Sequence, residues 1–117
     1  MFQQEKLQEI EFIGGGTQIL NFTVYDRFDE PLSLENCEIK WTLCNIGQKE
    51  NPILIKDNKL LGGIVVNKSV FTVEITPNET INIYDGIYEQ EPIIIQPNGK
   101  VLRPNFGRIF IKKGSQY

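Results

Sequence analysis

The chain has 117 residues, a net charge of −3 and no histidine or alanine. That length fits a single domain, which buries roughly two-thirds of its unfolded surface without needing disulfide or metal staples. The charge argues against the basic footprint of a nucleic-acid binder. Missing histidine removes the commonest general base and metal ligand. No apolar run approaches the roughly 18 residues of a membrane span.

The first segment, MFQQEKLQEI, has no apolar core of the signal-peptide kind, so cytoplasmic synthesis without export by the general secretory route is the expectation. Ile10 and Phe12 alternate like a strand, while FQQEKLQEI also fits a helix start. Gly14-Gly15-Gly16 separates this segment from the rest. Leu20, Phe22 and Val24 then alternate with polar residues, the pattern of a half-buried strand. Asp26 to Pro31, DRFDEP, is turn chemistry. Cys37, Ile39, Trp41 and Leu43 mark a second strand with Trp41 as its core anchor, since a tryptophan buries about 150–250 Å².

Asn45 to Pro52 reads as a polar loop. Ile53-Leu54-Ile55 reads as a short edge strand, Asp57-Asn58-Lys59 as a turn, and Gly62-Gly63 as a break. Ile64-Val65-Val66 is a short apolar run. Phe71, Val73 and Ile75 alternate in a further strand. One helical turn is predicted near Asn78 to Ile83, capped by Thr76 or Asn78, with Glu79 suited to its first turn. Gly86 to Ile95 forms a long strand whose Pro92 argues for an edge position or a bulge. Pro97-Asn98-Gly99 is a hairpin turn. Val101-Leu102 begins the return, Arg103-Pro104-Asn105 interrupts it, and Phe106 to Lys112 closes the fold.

The candidate chemical groupings are sparse. Gly14-Gly15-Gly16-Thr17 lacks the Lys-Ser/Thr of a phosphate loop, because Gln18 follows Thr17. Asp26, Asp29 and Glu30 offer carboxylates to a cation, but not at EF-hand spacing, and a solvated turn explains them. Glu89 and Glu91 share one face of a strand about 6.6 Å apart, a spacing reminiscent of glycosidase carboxylates but without an aromatic platform nearby in sequence. Cys37 and Cys44 are about 23 Å apart if both lie on one strand, too far for a disulfide, and have no histidine to activate them. Two reduced thiols are expected. No catalytic, cofactor-binding or metal-binding residue is therefore assigned.

Tyr88 stands out architecturally. A Pro-acidic-Thr turn followed by Asp85-Gly86-Ile87-Tyr88 is similar to the tyrosine corner of immunoglobulin-type domains, with Gln90 at the position of their second disulfide cysteine. Three stretches extend the likeness: Phe22 to Leu43 (FTVYDRFDEPLSLENCEIKWTL), Phe71 to Tyr88, and Pro97 to Ile111 with Gly107. Together these resemble the small immunoglobulin-like β-sandwich domains of tailed bacteriophages and prophages, in particular the N-terminal domain of baseplate upper proteins. Those proteins carry further domains after this one, and their usual glycine in the first turn is replaced here by Glu30 before Pro31. No site residue is transferred.

The resulting expectation is an all-β, immunoglobulin-like antiparallel β-sandwich of seven to nine strands. It spans residues 1–117 as one domain, with 1–16 as an arm or edge strand. The resemblance implies a non-enzymatic virion structural or assembly protein, contacting copies of itself and other tail or baseplate proteins. Nucleic acid and membrane insertion are not expected, nor is a cofactor. The isoleucine and asparagine bias suggests a low-GC bacterial or viral genome. The alternative is a carbohydrate-binding or adhesion module using Tyr25, Tyr84 and Phe28. Ile53 to Ile55 and the Pro92 strand are the expected partner edges.

Overall fold

The alternation of apolar and polar residues along the strands places one face of each against a second sheet. The structure is a computed structural model and describes residues 8–12, 17–80, 83–104 and 107–113. In chain order its elements are β1 (Gln8–Phe12), β2 (Gln18–Thr23), β3 (Glu38–Asn45), β4 (Leu54–Asp57), β5 (Ile64–Asn67), β6 (Val70–Ile75), α1 (Pro77–Thr80), β7 (Gly86–Ile95), β8 (Val101–Leu102) and β9 (Arg108–Lys113). One sheet runs β1-β9-β7-β3-β4, with β8 also beside β7; the other runs β2-β6-β5. All strand pairs are antiparallel except β1 with β9. The chain crosses between sheets after β1, β2, β4 and β6. This strand order, with an extra strand beside β3, is that of an immunoglobulin-like sandwich.

The inward positions match the predicted faces. Leu20, Phe22 and Val24 meet Ile39, Trp41 and Leu43 across the interior, with Phe71, Val73, Ile75, Ile94, Ile109 and Ile111 completing the core. Trp41 is fully buried. The Phe22 ring lies 6.5 Å from Trp41 and 5.1 Å from Phe71, bridging the sheets. These distances suit the offset and tilted arrangements aromatic pairs prefer.

The corner between β6 and β7 is built by two local devices. Thr76 is the N-cap: its N–H donates to Glu79 Oε1 at 2.8 Å and its carbonyl accepts the Glu79 N–H at 3.0 Å. With Pro77 at the first helical position, the sequence TPNE is a capping box. The helical turn is Pro77–Thr80, starting one residue earlier than expected; of the expected span, 81–82 fall outside the described residues and Ile83 is not helical. The Tyr88 hydroxyl then donates to the Tyr84 carbonyl at 2.6 Å, the bond that defines a tyrosine corner.

The expectation that Pro92 marks an edge or bulge is corrected: β7 lies between β3 and β9. The Leu43 and Ile39 carbonyls accept N–H groups from Ile53 and Asn58, on the β4 side. Backbone direction alternates, so Trp41 also faces β4, and Trp41↔Pro92 is a non-hydrogen-bonded pair. Proline's missing N–H thus faces away from β3. On that other side β7 pairs with β9 through Glu89 and with β8 from Ile94, so Pro92 sits between partners.

Two further expectations shift. The edge strand begins at Leu54 and continues through Lys56 and Asp57, because Asp57 itself builds the next turn. Its Oδ1 accepts the N–H groups of Lys59, Leu60, Leu61 and Gly62 at 2.8–3.2 Å. β9 begins at Arg108 rather than Phe106. In the N-terminal segment, Gln8–Phe12 forms an edge strand beside β9, while Gly14-Gly15-Gly16 lies outside the described residues.

Candidate functional site

The DRFDEP turn closes tightly on itself. Asp26 Oδ1 accepts the N–H groups of Phe28 at 2.8 Å and Glu30 at 3.0 Å, and the Asp26 N–H donates to the Glu30 carbonyl at 2.8 Å. Asp29 takes φ 63°, a left-handed conformation that aspartate tolerates. This is the solvated-turn reading of these carboxylates; no cluster of three potential metal ligands occurs among the described residues. The turn projects Arg27 and Phe28 outward, with the Arg27 guanidinium 5.0 Å from the Phe28 ring centre.

Facing it is the hairpin after β7. Gln96 and Gly99 close it with backbone bonds of 2.8 Å, and Asn98 Oδ1 accepts the Lys100 N–H at 2.9 Å. Between turn and hairpin lies an open groove of about 460 Å³. Its apolar lining is Val24, Leu32 and Leu102 with the aromatic pair Tyr25 and Phe28, which are 57% and 70% exposed. Arg27 stands on one wall, Lys100 and Arg103 on the other. No ion pair joins any of these three cations to a carboxylate among the described residues.

The other sequence candidates are held elsewhere. Glu89 and Glu91 share the outer face of β7, but Glu89 Oε1 accepts the Gly47 N–H at 2.9 Å and Glu91 pairs with Lys49 at 3.7 Å. Both carboxylates fasten the 45–51 loop. Cys37 belongs to the core, whereas Cys44 is buried with its thiol 3.9 Å from the Lys49 carbonyl. Both thiols are free, and burial raises the pKa of each. Tyr84 is exposed at the corner preceding β7, the opposite end of that strand from the hairpin. Tyr25 and Phe28 therefore share a site that Tyr84 does not join. The sequence reading missed Arg27, Lys100 and Arg103 because each sits in a turn or interruption whose neighbour across the groove is set by strand order alone.

A second surface feature follows β4. Ile53, Ile55, Leu60, Leu61 and Val65 are 37%, 39%, 93%, 64% and 69% exposed. The four bonds to Asp57 fix the backbone that displays Leu60 and Leu61. Lys56, between Ile55 and this turn, points inward instead and reaches Glu79 at 2.6 and 2.8 Å.

No protein-family profile and no curated protein matches the sequence. Among solved structures, the ZIG-8–RIG-5 IG1–IG1 heterodimer is similar at 9% identity, covering 97% of this chain and 88% of that one, with a TM-score of 0.46. The NK cell receptor NKp44 is similar at 15% identity, covering 93% and 99%, TM-score 0.46. The extracellular domain of the voltage-gated sodium channel β4 subunit is similar at 13% identity, covering 100% and 92%, TM-score 0.46. The immunoglobulin-like fold is carried by the strand order and the tyrosine corner. No helix among the described residues is long and apolar enough to cross a membrane.

Proposed function

We propose that this chain is a non-enzymatic protein-interaction domain that assembles with copies of itself and with neighbouring structural proteins. The observation that carries the reading is the strip of exposed apolar side chains from Ile53 to Val65, displayed along the two sheet edges formed by β4 and β5. Leu60 and Leu61, adjacent on the turn between these edges and 93% and 64% exposed, present the kind of apolar surface that marks interaction sites. Both edge strands are short, and β4 carries the inward-pointing Lys56. Such features guard an edge against strand addition, so contact is made through side chains. The carboxylates that raised catalytic readings are occupied in turns and loops, which favours binding over chemistry.

The finer assignment, a tail or baseplate component reaching the virion after cytoplasmic synthesis, is supported by the resemblance of Phe22–Leu43, Phe71–Tyr88 and Pro97–Ile111. Light scattering over a concentration series tests the assembly reading. Self-association is expected, and the double variant Leu60→Glu/Leu61→Glu is expected to abolish it with unchanged thermal stability. A strict monomer at millimolar concentration overturns it. A second reading, carbohydrate binding, is favoured by the Tyr25–Phe28 pair alone. A glycan-array signal that disappears in Tyr25→Ala and Phe28→Ala would support it.

A further inference from the structure

We propose that the groove between the Asp26–Pro31 turn and the Gln96–Lys100 hairpin docks an acidic protein segment that presents one aromatic or aliphatic side chain between carboxylates. This site is separate from the apolar strip and does not depend on self-assembly.

Shape, charge and backbone each select the occupant. The groove volume of about 460 Å³ falls at the small end of the roughly 300–1,000 Å³ range of ligand clefts. Its apolar floor of Val24, Leu32 and Leu102 suits one large side chain with its flanking backbone. Cations stand on both walls, Arg27 beside Phe28 and Lys100 with Arg103 opposite. A side chain entering the floor would place its chain neighbours within reach of both walls. Carboxylates at those positions gain bidentate partners from arginine. Asp26 is the one carboxylate in the lining, and its Oδ1 is already engaged by two backbone N–H groups. β8 pairs only with β7 among the described residues, leaving one side of its backbone open to an extended segment.

The same features disfavour two other occupants. A neutral sugar would stack on Tyr25 or Phe28 but leave three cations without counter-charge. A polyanion such as nucleic acid would meet Asp29 and Glu30 in the turn, on a chain of net charge −3. On the turn side the positive charge is bounded by Asp29 and Glu30, which fits a short acidic segment.

Fluorescence anisotropy of the full chain tests this with a labelled peptide of alternating glutamate and tyrosine. The comparison probes are the same peptide with glutamine for glutamate, a neutral glucose oligosaccharide and a single-stranded oligonucleotide. The acidic peptide should bind most tightly, and its binding should weaken as salt rises from 50 to 500 mM. Lys100→Gln/Arg103→Gln should weaken it about three- to tenfold, the combined size of two exposed ion pairs. Phe28→Ser should weaken it independently of salt. These residues are surface positions, so unchanged thermal unfolding verifies the fold of each variant. Equal binding of the glutamine peptide, an unaffected double variant, tighter binding of the sugar or oligonucleotide, or no saturable peptide binding would each overturn the proposal.

Discussion

The indole N–H of Trp41 donates to Oε1 of Gln90 at 3.1 Å inside the core. Gln90 lies two residues beyond the corner tyrosine, where antibody-type domains place the cysteine of their inter-sheet disulfide. Here Gln90 instead bonds the buried tryptophan of the adjacent strand within its own sheet, so no link from this position joins the two sheets. Gln90 is 7% exposed and pairs with Leu43, one cross-strand step from Trp41. Diagonal neighbours on adjacent strands reach each other when side chains are long. Gln90→Leu should destabilise by about 1–3 kcal/mol, the cost of a buried donor without an acceptor. Urea unfolding followed by tryptophan emission measures this.

Tyr88→Phe removes the 2.6 Å bond to the Tyr84 carbonyl while keeping the ring. The expected loss is about 1 kcal/mol, the net value of one hydrogen bond. Burial pushes the Tyr88 pKa up, and the nearby Asp85 charge adds to it. The folded state thus holds the proton more tightly than the unfolded chain. This stabilisation is complete below the ordinary tyrosine value of 10.0 and is lost as pH rises through the folded value. Tyr88→Phe should flatten the alkaline limb of a stability–pH curve above about pH 10.

Lys56 and Glu79 tie the edge of the larger sheet to the corner of the smaller one. The Lys56 side chain is 9% exposed and that of Glu79 30%. Glu79→Gln leaves the ammonium largely buried without counter-charge and should cost about 2–3 kcal/mol, below the range for a fully buried pair. Lys56→Met should cost less, since the freed carboxylate is closer to water. Thermal denaturation of the single variants and their combination isolates the coupling.

Acid sensitivity follows from two carboxylates. Burial would raise the Glu79 pKa, but hydrogen bonds from Lys56 and the Thr76 N–H, with the lysine charge, hold it below the usual 4.5. Burial likewise opposes ionisation of Asp57, and four backbone N–H groups outweigh it, holding it below the usual 3.8. Lowered values in the folded state stabilise it above the unfolded values, and that contribution is lost as pH falls through the folded ones. Glu79→Gln and Asp57→Asn should each make stability less dependent on pH below about 4.5 in urea titrations.

Gly63 takes φ 91°, and a Cβ there would lie 2.6 Å from Lys56 Cδ. That side chain is fixed by its bond to Glu79, so it cannot swing clear without breaking the pair. Gly63→Ala should cost about 2 kcal/mol or more from strain and displacement together. Gly62→Ala meets open space, although its φ of 79° still strains alanine. The difference in melting temperature between these two variants reports the Lys56 contact.

The alternation of Leu20-Phe22-Val24, Ile39-Trp41-Leu43 and Phe71-Val73-Ile75 determined both sheet faces and the core, because a two-residue period decides which side chains leave water. Thr76-Pro77-x-Glu79 and Tyr88 likewise carry their own corner geometry over a dozen residues. Pro92 was misleading because its missing N–H is harmless wherever a strand changes partners, and partner order is not written locally. Nothing in the residues around Lys56 marks it as inward-pointing; its partner Glu79 is brought to it by the corner after β6. The groove was least legible of all. Arg27 and Phe28 are separated from Lys100 and Arg103 by some seventy residues, and each pair lies in a segment that locally says only turn. Their meeting depends on β2 and β7 ending at the same pole of the sandwich, a long-range consequence of strand order. Local propensity fixes which residues face inward, whereas the packing of one sheet on the other decides which surface residues become neighbours.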